Sequence, residues 1–197
     1  SEMANQFEWE VTVIKDDQTM NAFALPGGKI AVYTGIFPAA KTEAGLAAVM
    51  GHEVVHALAR HGGERMSQNT LAQTTLQAIG IALGVSGANP VVSQGAMAAL
   101  GVGAQVGVLL PFSRKHESEA DYVGVLLAAD AGYDPREAIE LWTRMGAMSG
   151  GKSASEFMST HPSHETRIEQ LEEWMTEAMP IYQSKPPAPN QELPALR

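Results

Sequence analysis

The chain has 197 residues, 45% of them hydrophobic and 18% charged, with a formal net charge of −9 and a pI near 5.1, the profile of an ordinary globular protein long enough to fill one core. That acidic balance, with no Lys/Arg cluster to offset it, excludes a phosphate backbone as partner, so no nucleic acid is expected. Cysteine is absent, which excludes disulfides, thiol nucleophiles and sulfur ligands and leaves His and carboxylates to bind any metal.

The opening "SEMANQFEWEVTVIKDD" has no basic stretch leading into an apolar core, so it is not expected to act as a secretory signal. Within it, Phe7, Trp9, Val11 and Val13 alternate with Glu8, Glu10 and Thr12, the period-two pattern of a half-buried strand. In "MNAFALPGGKIAVYTG" two short apolar runs flank Pro26-Gly27-Gly28, which predicts a hairpin. A small N-terminal antiparallel sheet is therefore expected.

From Thr42 the periodicity becomes helical. Thr42 can cap, Glu43 suits a first turn, and Leu46, Val49, Met50 and "HEVVH" follow. Between Met66 and Ser113 there is no Asp, Glu, Lys or Arg. Polar residues such as Gln77, Asn89 and Gln105 interrupt that stretch, so its apolar runs fall short of the ~20 residues a membrane span needs. Two close-packed helices joined near "SGANP" are expected instead.

Asp134-Pro135 predicts a cap and first helical position for a helix ending about Met148. "GAMSGGKSASEF" reads as a loop and "SHETRIEQLEEWMTEAM" as a last amphipathic helix. The whole predicts an α+β fold, mostly helical, with one domain over 1–182 that contains the uncharged 66–113 segment. The proline-rich residues 183–197 are expected to form a disordered tail.

The chemistry concentrates in "HEVVH". Side chains four apart on a helix share a face, with Cβ atoms roughly 5–6 Å apart, so His52 and His56 can hold one metal ion. In H-E-x-x-H the metal is zinc, and Glu53 reaches the water it activates and serves as general base. A catalytic zinc wants a third protein ligand. His61 lies five residues past His56 and would point about 140° away on a continuous helix, so it reads as structural. The better source is "HESEAD". Glu117 and Asp121 share a face, which suits Glu117 to ligate the metal and Asp121 to accept the outer N–H of a ligand histidine, whereas Glu119 points nearly opposite.

"NAFALPGGKIAVYTG", "HEVVHALARH", "SRKHESEADYVG", "GYDP" and "THPSHETRI" occur in this order over roughly residues 20 to 171. Together they resemble the zinc metallopeptidases that include the CaaX prenyl proteases, the HtpX-like membrane proteases and their soluble bacterial periplasmic relatives. The resemblance implies a zincin-like, gluzincin fold with one zinc per chain. Its E-x-x-x-D motif falls on Glu117 and Asp121. Its histidine-proline element falls on His161-Pro162, implying that His161 either stabilises the oxyanion or occupies the open zinc position at rest. It implies for Arg167 a role in bracing that loop or touching substrate. No role is expected for His116 or His164.

Substrate is expected to lie as an extended strand along "GKIAVYTG", with Asn21, Ile30 and Val32 as contacts. The resemblance implies a zinc endopeptidase of envelope protein quality control, periplasmic or membrane-associated in a bacterium. Unfolded or envelope polypeptides are the expected substrates, and a lipid anchor outside this sequence is compatible. The rival reading is a zinc-stabilised, chaperone-like polypeptide-binding protein. Glu53 favours the enzyme, since a binding module needs no base between its ligands.

Overall fold

Three strands precede the helices. The computed structural model describes residues 4–85, 89–104, 109–149, 161 and 166–195. Strands β1 (Glu10–Ile14), β2 (Ala22–Leu25) and β3 (Lys29–Tyr33) form one sheet in the order β1-β3-β2. The β2–β3 hairpin is antiparallel, as its turn predicts, with Gly27 and Gly28 at φ 90° and 93°, values that glycine alone adopts readily.

The first strand departs from expectation. β1 runs parallel to β3, so the sheet is mixed. The expected half-burial also fails, since Val11 and Val13 remain 53% and 56% exposed. The helices pack against β2 and β3, whose Ala22, Ile30 and Val32 join the core, and β1 lies at the outer edge.

Seven helices follow among the described residues: α1 (Phe37–Ala40), α2 (Glu43–Leu58), α3 (His61–Val85), α4 (Pro90–Ala104), α5 (Leu110–Asp130), α6 (Arg136–Ser149) and α7 (Arg167–Gln183). This is the mostly helical, zincin-like α+β architecture the sequence predicts. Thr42 caps α2 by accepting the Gly45 N–H at 3.1 Å, and Asp134 accepts the Arg136 N–H at 3.0 Å to start α6. Of the uncharged segment, residues 66–85 lie in α3, 90–104 in α4 and 110–113 at the start of α5. No helix among the described residues is long and apolar enough to cross a membrane. The loop expected at 146–157 is helical through Ser149, and the remainder of it lies outside the described residues.

Helices α2 and α5 cross backbone to backbone. A Cβ on Gly51 would stand 2.6 Å from the Gly124 carbonyl oxygen, and one on Gly124 would stand 2.8 Å from the His52 nitrogen. Only glycine on both helices allows this approach, and it sets "HEVVH" directly against "HESEAD". Val49, Val125, Leu141, Met145 and Leu171 pack the core around the crossing.

The tail corrects the expectation of disorder through residue 195. Beyond α7 it runs back over the body, where Ala188 N–H donates to Gly132 O and Leu193 N–H donates to Lys41 O. Gln191 O accepts the Glu43 N–H, and Asn190 Oδ1 accepts the Ala44 N–H. These bonds satisfy helix-start amides of α2 that would otherwise lack partners. Proline-rich composition removes donors from the tail itself but leaves its carbonyls and Asn190 free to accept.

Candidate metal centre

The crossing of α2 and α5 fixes the positions of His52, Glu53, His56 and Glu117. His52, Glu53 and Glu117 are 3%, 1% and 3% exposed, burial that charged groups tolerate only when paired or bound to a cation. His52 Nδ1–H donates to Asp121 Oδ1 at 2.9 Å, which leaves Nε2 facing inward. His56 mirrors it, with Nδ1 lying 2.9 Å from His61 Nδ1 and Nε2 directed inward. The two inward Nε2 atoms stand 3.0 Å apart.

Glu117 and His161 complete the cluster. Glu117 Oε2 lies 3.3 Å from His52 Nε2, and Oε1 lies 3.5 Å from His56 Nε2. His161 Nδ1 is 3.2 Å from His52 Nε2 and 3.3 Å from Glu117. One ligand atom from each of His52, His56, Glu117 and His161 can be chosen so that all lie within 4.8 Å of one another. Nitrogen and carboxylate oxygen converging in this way suit a single zinc ion.

The electrostatics ask for a cation as well. Burial lowers the His52 pKa, but the hydrogen bonds and charges of Asp121 and Glu117 outweigh it and push the group up to about 10. Burial and the neighbouring His52 hold His56 well below the usual histidine range. Glu117, which burial alone would raise, is held below the carboxylate range by His161 and His52. Asp121 is likewise lowered against burial, chiefly by Arg167. The carboxylates thus retain a proton on one inner imidazole, and a divalent ion answers the same demand with more charge.

Glu53 is set differently. Burial raises its pKa against the pull of His161 and His52, and its Oε1 is buried without a hydrogen bond. His161 Nε2 stands 3.4 Å from that oxygen. A carboxylate whose basicity burial raises, with an oxygen that makes no hydrogen bond and faces a metal-binding cluster, is equipped to take a proton from water.

Several expected residues fall elsewhere. Arg167 is buried, donating through Nε and Nη2 to Asp121 and through Nη2 to Glu117, with its guanidinium carbon 3.4 Å from the Trp142 ring centroid. It braces the two carboxylates, and its Nη1 is buried without a hydrogen-bond partner. Ile30 and Val32 point into the core from β3, which is paired on both edges, so β3 offers no free edge to a peptide. The free edge near the cluster belongs to β2, whose Ala24 lines the cleft beside Glu53, His56 and Glu117. Asn21, just before β2, is buried with its Oδ1 unpaired. Pro162 and His164 lie outside the described residues.

His61 departs from the geometry of a continuous helix. The chain breaks at Arg60, which takes a left-handed φ of 57°, and α3 then carries His61 back against His56. Its ring stacks on His116 at 4.1 Å between centroids, and Nε2 lies 3.5 Å from Glu119 Oε2. The signal available in sequence is Gly62-Gly63, a weak point for any helix running past "HEVVHALARH".

Residues 1–175 match the description "Peptidase family M48". The chain is 43% identical over 176 residues to the mitochondrial metalloendopeptidase OMA1 of Schizosaccharomyces pombe, covering 88% of this chain and 49% of that protein. To the human metalloendopeptidase OMA1 it is 32% identical over 185 residues, 90% of this chain and 34% of that protein. To a putative beta-barrel assembly-enhancing protease of Vibrio cholerae it is 32% identical over 154 residues, 77% of this chain and 32% of that protein. The chain thus spans half or less of the length of these relatives.

Proposed function

The chain belongs to peptidase family M48, and from that premise we propose that it is a zinc-dependent endopeptidase with Glu53 as general base. The observation that carries this reading is the buried, unbonded Glu53 Oε1 beside four converging ligand side chains. His52, His56 and Glu117 would hold the zinc, with Asp121 and His61 fixing the two imidazoles through their outer nitrogens. When bound, zinc supplies Lewis acidity that acidifies water and polarises a carbonyl oxygen. Glu53 accepts the proton of the attacking water and returns it to the leaving amine, a task its burial-raised basicity favours. The outer edge of β2 holds the peptide as an added strand through main-chain bonds, which suits many sequences.

His161 lies within the ligand set, and this supports a closed resting form in which it takes the fourth position. The likeness to a bacterial protease named for enhancing beta-barrel assembly lends support to a finer reading: a protease of protein quality control acting on unfolded or envelope polypeptides, in the periplasm or at the membrane of a bacterium. The buried Glu53 carboxylate beside the ligand set argues against the chaperone-like alternative, which needs no base there.

Metal analysis of the purified chain alongside digestion of an unfolded protein tests the class. One zinc per chain and chelator-sensitive cleavage are expected. Glu53→Gln should keep the zinc and lose about 10²–10⁴ in rate, as removal of a general base does. Near wild-type turnover in that metal-replete variant would end the assignment.

A further inference from the structure

A second cavity, of about 350 Å³, abuts the metal cleft and shares Ala24, His56 and Gly62 with it. Its remaining walls are apolar or glycine, apart from the exposed Arg60 at the α2–α3 break. Phe7, Leu25 and Pro26 close one side, and Ala57 and Gly63 the other. Among the described residues, no carboxylate lines it. Leu25 is 50% exposed, an apolar wall facing solvent beside the peptide-binding edge.

We propose that this cavity is the specificity pocket of the enzyme, receiving an aliphatic or aromatic side chain from the substrate residue that flanks the scissile bond on one side. The inference rests on the endopeptidase reading above. A peptide added to the edge of β2 at Ala24 passes His56, and the cavity opens immediately beyond that imidazole. Side chains of a strand alternate in direction, so the residue next to the bond held at the cluster can turn into the cavity while its backbone stays on β2. The volume falls in the range of small-ligand sites, ample for Leu or Phe. Arg60 sets a positive charge at the mouth, and among the described residues no carboxylate pairs with it or lines the cavity, so Lys and Arg are disfavoured there.

The test uses the zinc-loaded chain and a peptide library randomised around one cleavage site. Leu, Met or Phe at one flanking position should raise kcat/KM by on the order of tenfold or more over Ala, and Lys or Arg should be the poorest residues there. Gly63→Phe puts a ring at the cavity wall from a position where a Cβ meets nothing within 4 Å. It should lower the ratio of large to small residues at that position by about tenfold. Arg60→Glu should turn the penalty on Lys and Arg into a preference.

Cleavage with no positional apolar preference, or a preference unmoved by both substitutions, would overturn the inference while leaving the endopeptidase reading intact. If the chain cuts nothing, that reading fails by itself. Affinities of the same peptides for zinc-loaded Glu53→Gln protein then still decide the pocket, since equal binding of Leu, Ala and Lys peptides refutes it.

Discussion

Each inner imidazole is held by a partner on its outer nitrogen, and the two partners differ in kind. Asp121 brings a charge to His52, itself anchored by Arg167, whereas His61 brings a neutral ring to His56, packed on His116. Loss of such a partner commonly costs 10–100-fold in metal affinity. His61→Ala is therefore expected to weaken zinc binding by that factor in a competitive chelator titration, with the helical circular dichroism unchanged. His161 gives a prediction of opposite sign. If it closes the site at rest, His161→Ala should raise cleavage of unfolded substrate, and a fall of about 10²-fold would identify it as the oxyanion donor instead. The helical spacing of "HEVVH" and "HESEAD" made the inner residues legible in sequence. The place of His61 was less legible, because it depends on one left-handed residue, Arg60, announced only by the weak signal of Gly62-Gly63.

At the scale of elements, the site depends on how closely α2 and α5 approach. Gly51 precedes the first metal-facing histidine, and Gly124 lies three residues past Asp121 on the opposing helix. Gly124→Ala gains helix propensity, roughly 1 kcal/mol in an exposed helix, but forces a methyl group to 2.8 Å from the His52 nitrogen. Overpacking of this kind costs typically 1–3 kcal/mol, and here the strain falls on the residue that binds metal. A lower melting temperature together with reduced zinc retention is expected, and a thermal scan with and without chelator reads both. Elements with a strong local signal, such as the capped α2, the Asp134 start of α6 and the Pro26–Gly28 turn, were legible in sequence. The position of β1 was not, since period-two alternation says that a strand has two faces but not that a neighbour covers one of them.

Across the whole molecule, the tail ties the last helix back to the start of the first catalytic one. Ending the chain after Ser184 removes the acceptors for the Glu43 and Ala44 amides and the bonds at Lys41 and Gly132. At about 1 kcal/mol net per bond, partly offset by the freedom the tail regains, a loss on the order of 2 kcal/mol follows. For a chain of this size that corresponds to a fall in melting temperature of roughly 4–8 °C, which differential scanning calorimetry measures. The α3–α4 hairpin stands apart from this web of polar ties. Met66, Leu71, Ile81 and Val91 on it are each more than two-thirds exposed, and nothing between Met66 and Ser113 can gain or lose a proton. Contacts made through the uncharged part of that hairpin, from Met66 onward, are blind to acidity and are strengthened by sulfate, which is excluded from apolar surface. Contacts through the remainder, which carries the entire charge of −9, respond to acidity and to ionic strength, so a salt and pH series on the intact protein distinguishes which of these surfaces another molecule engages.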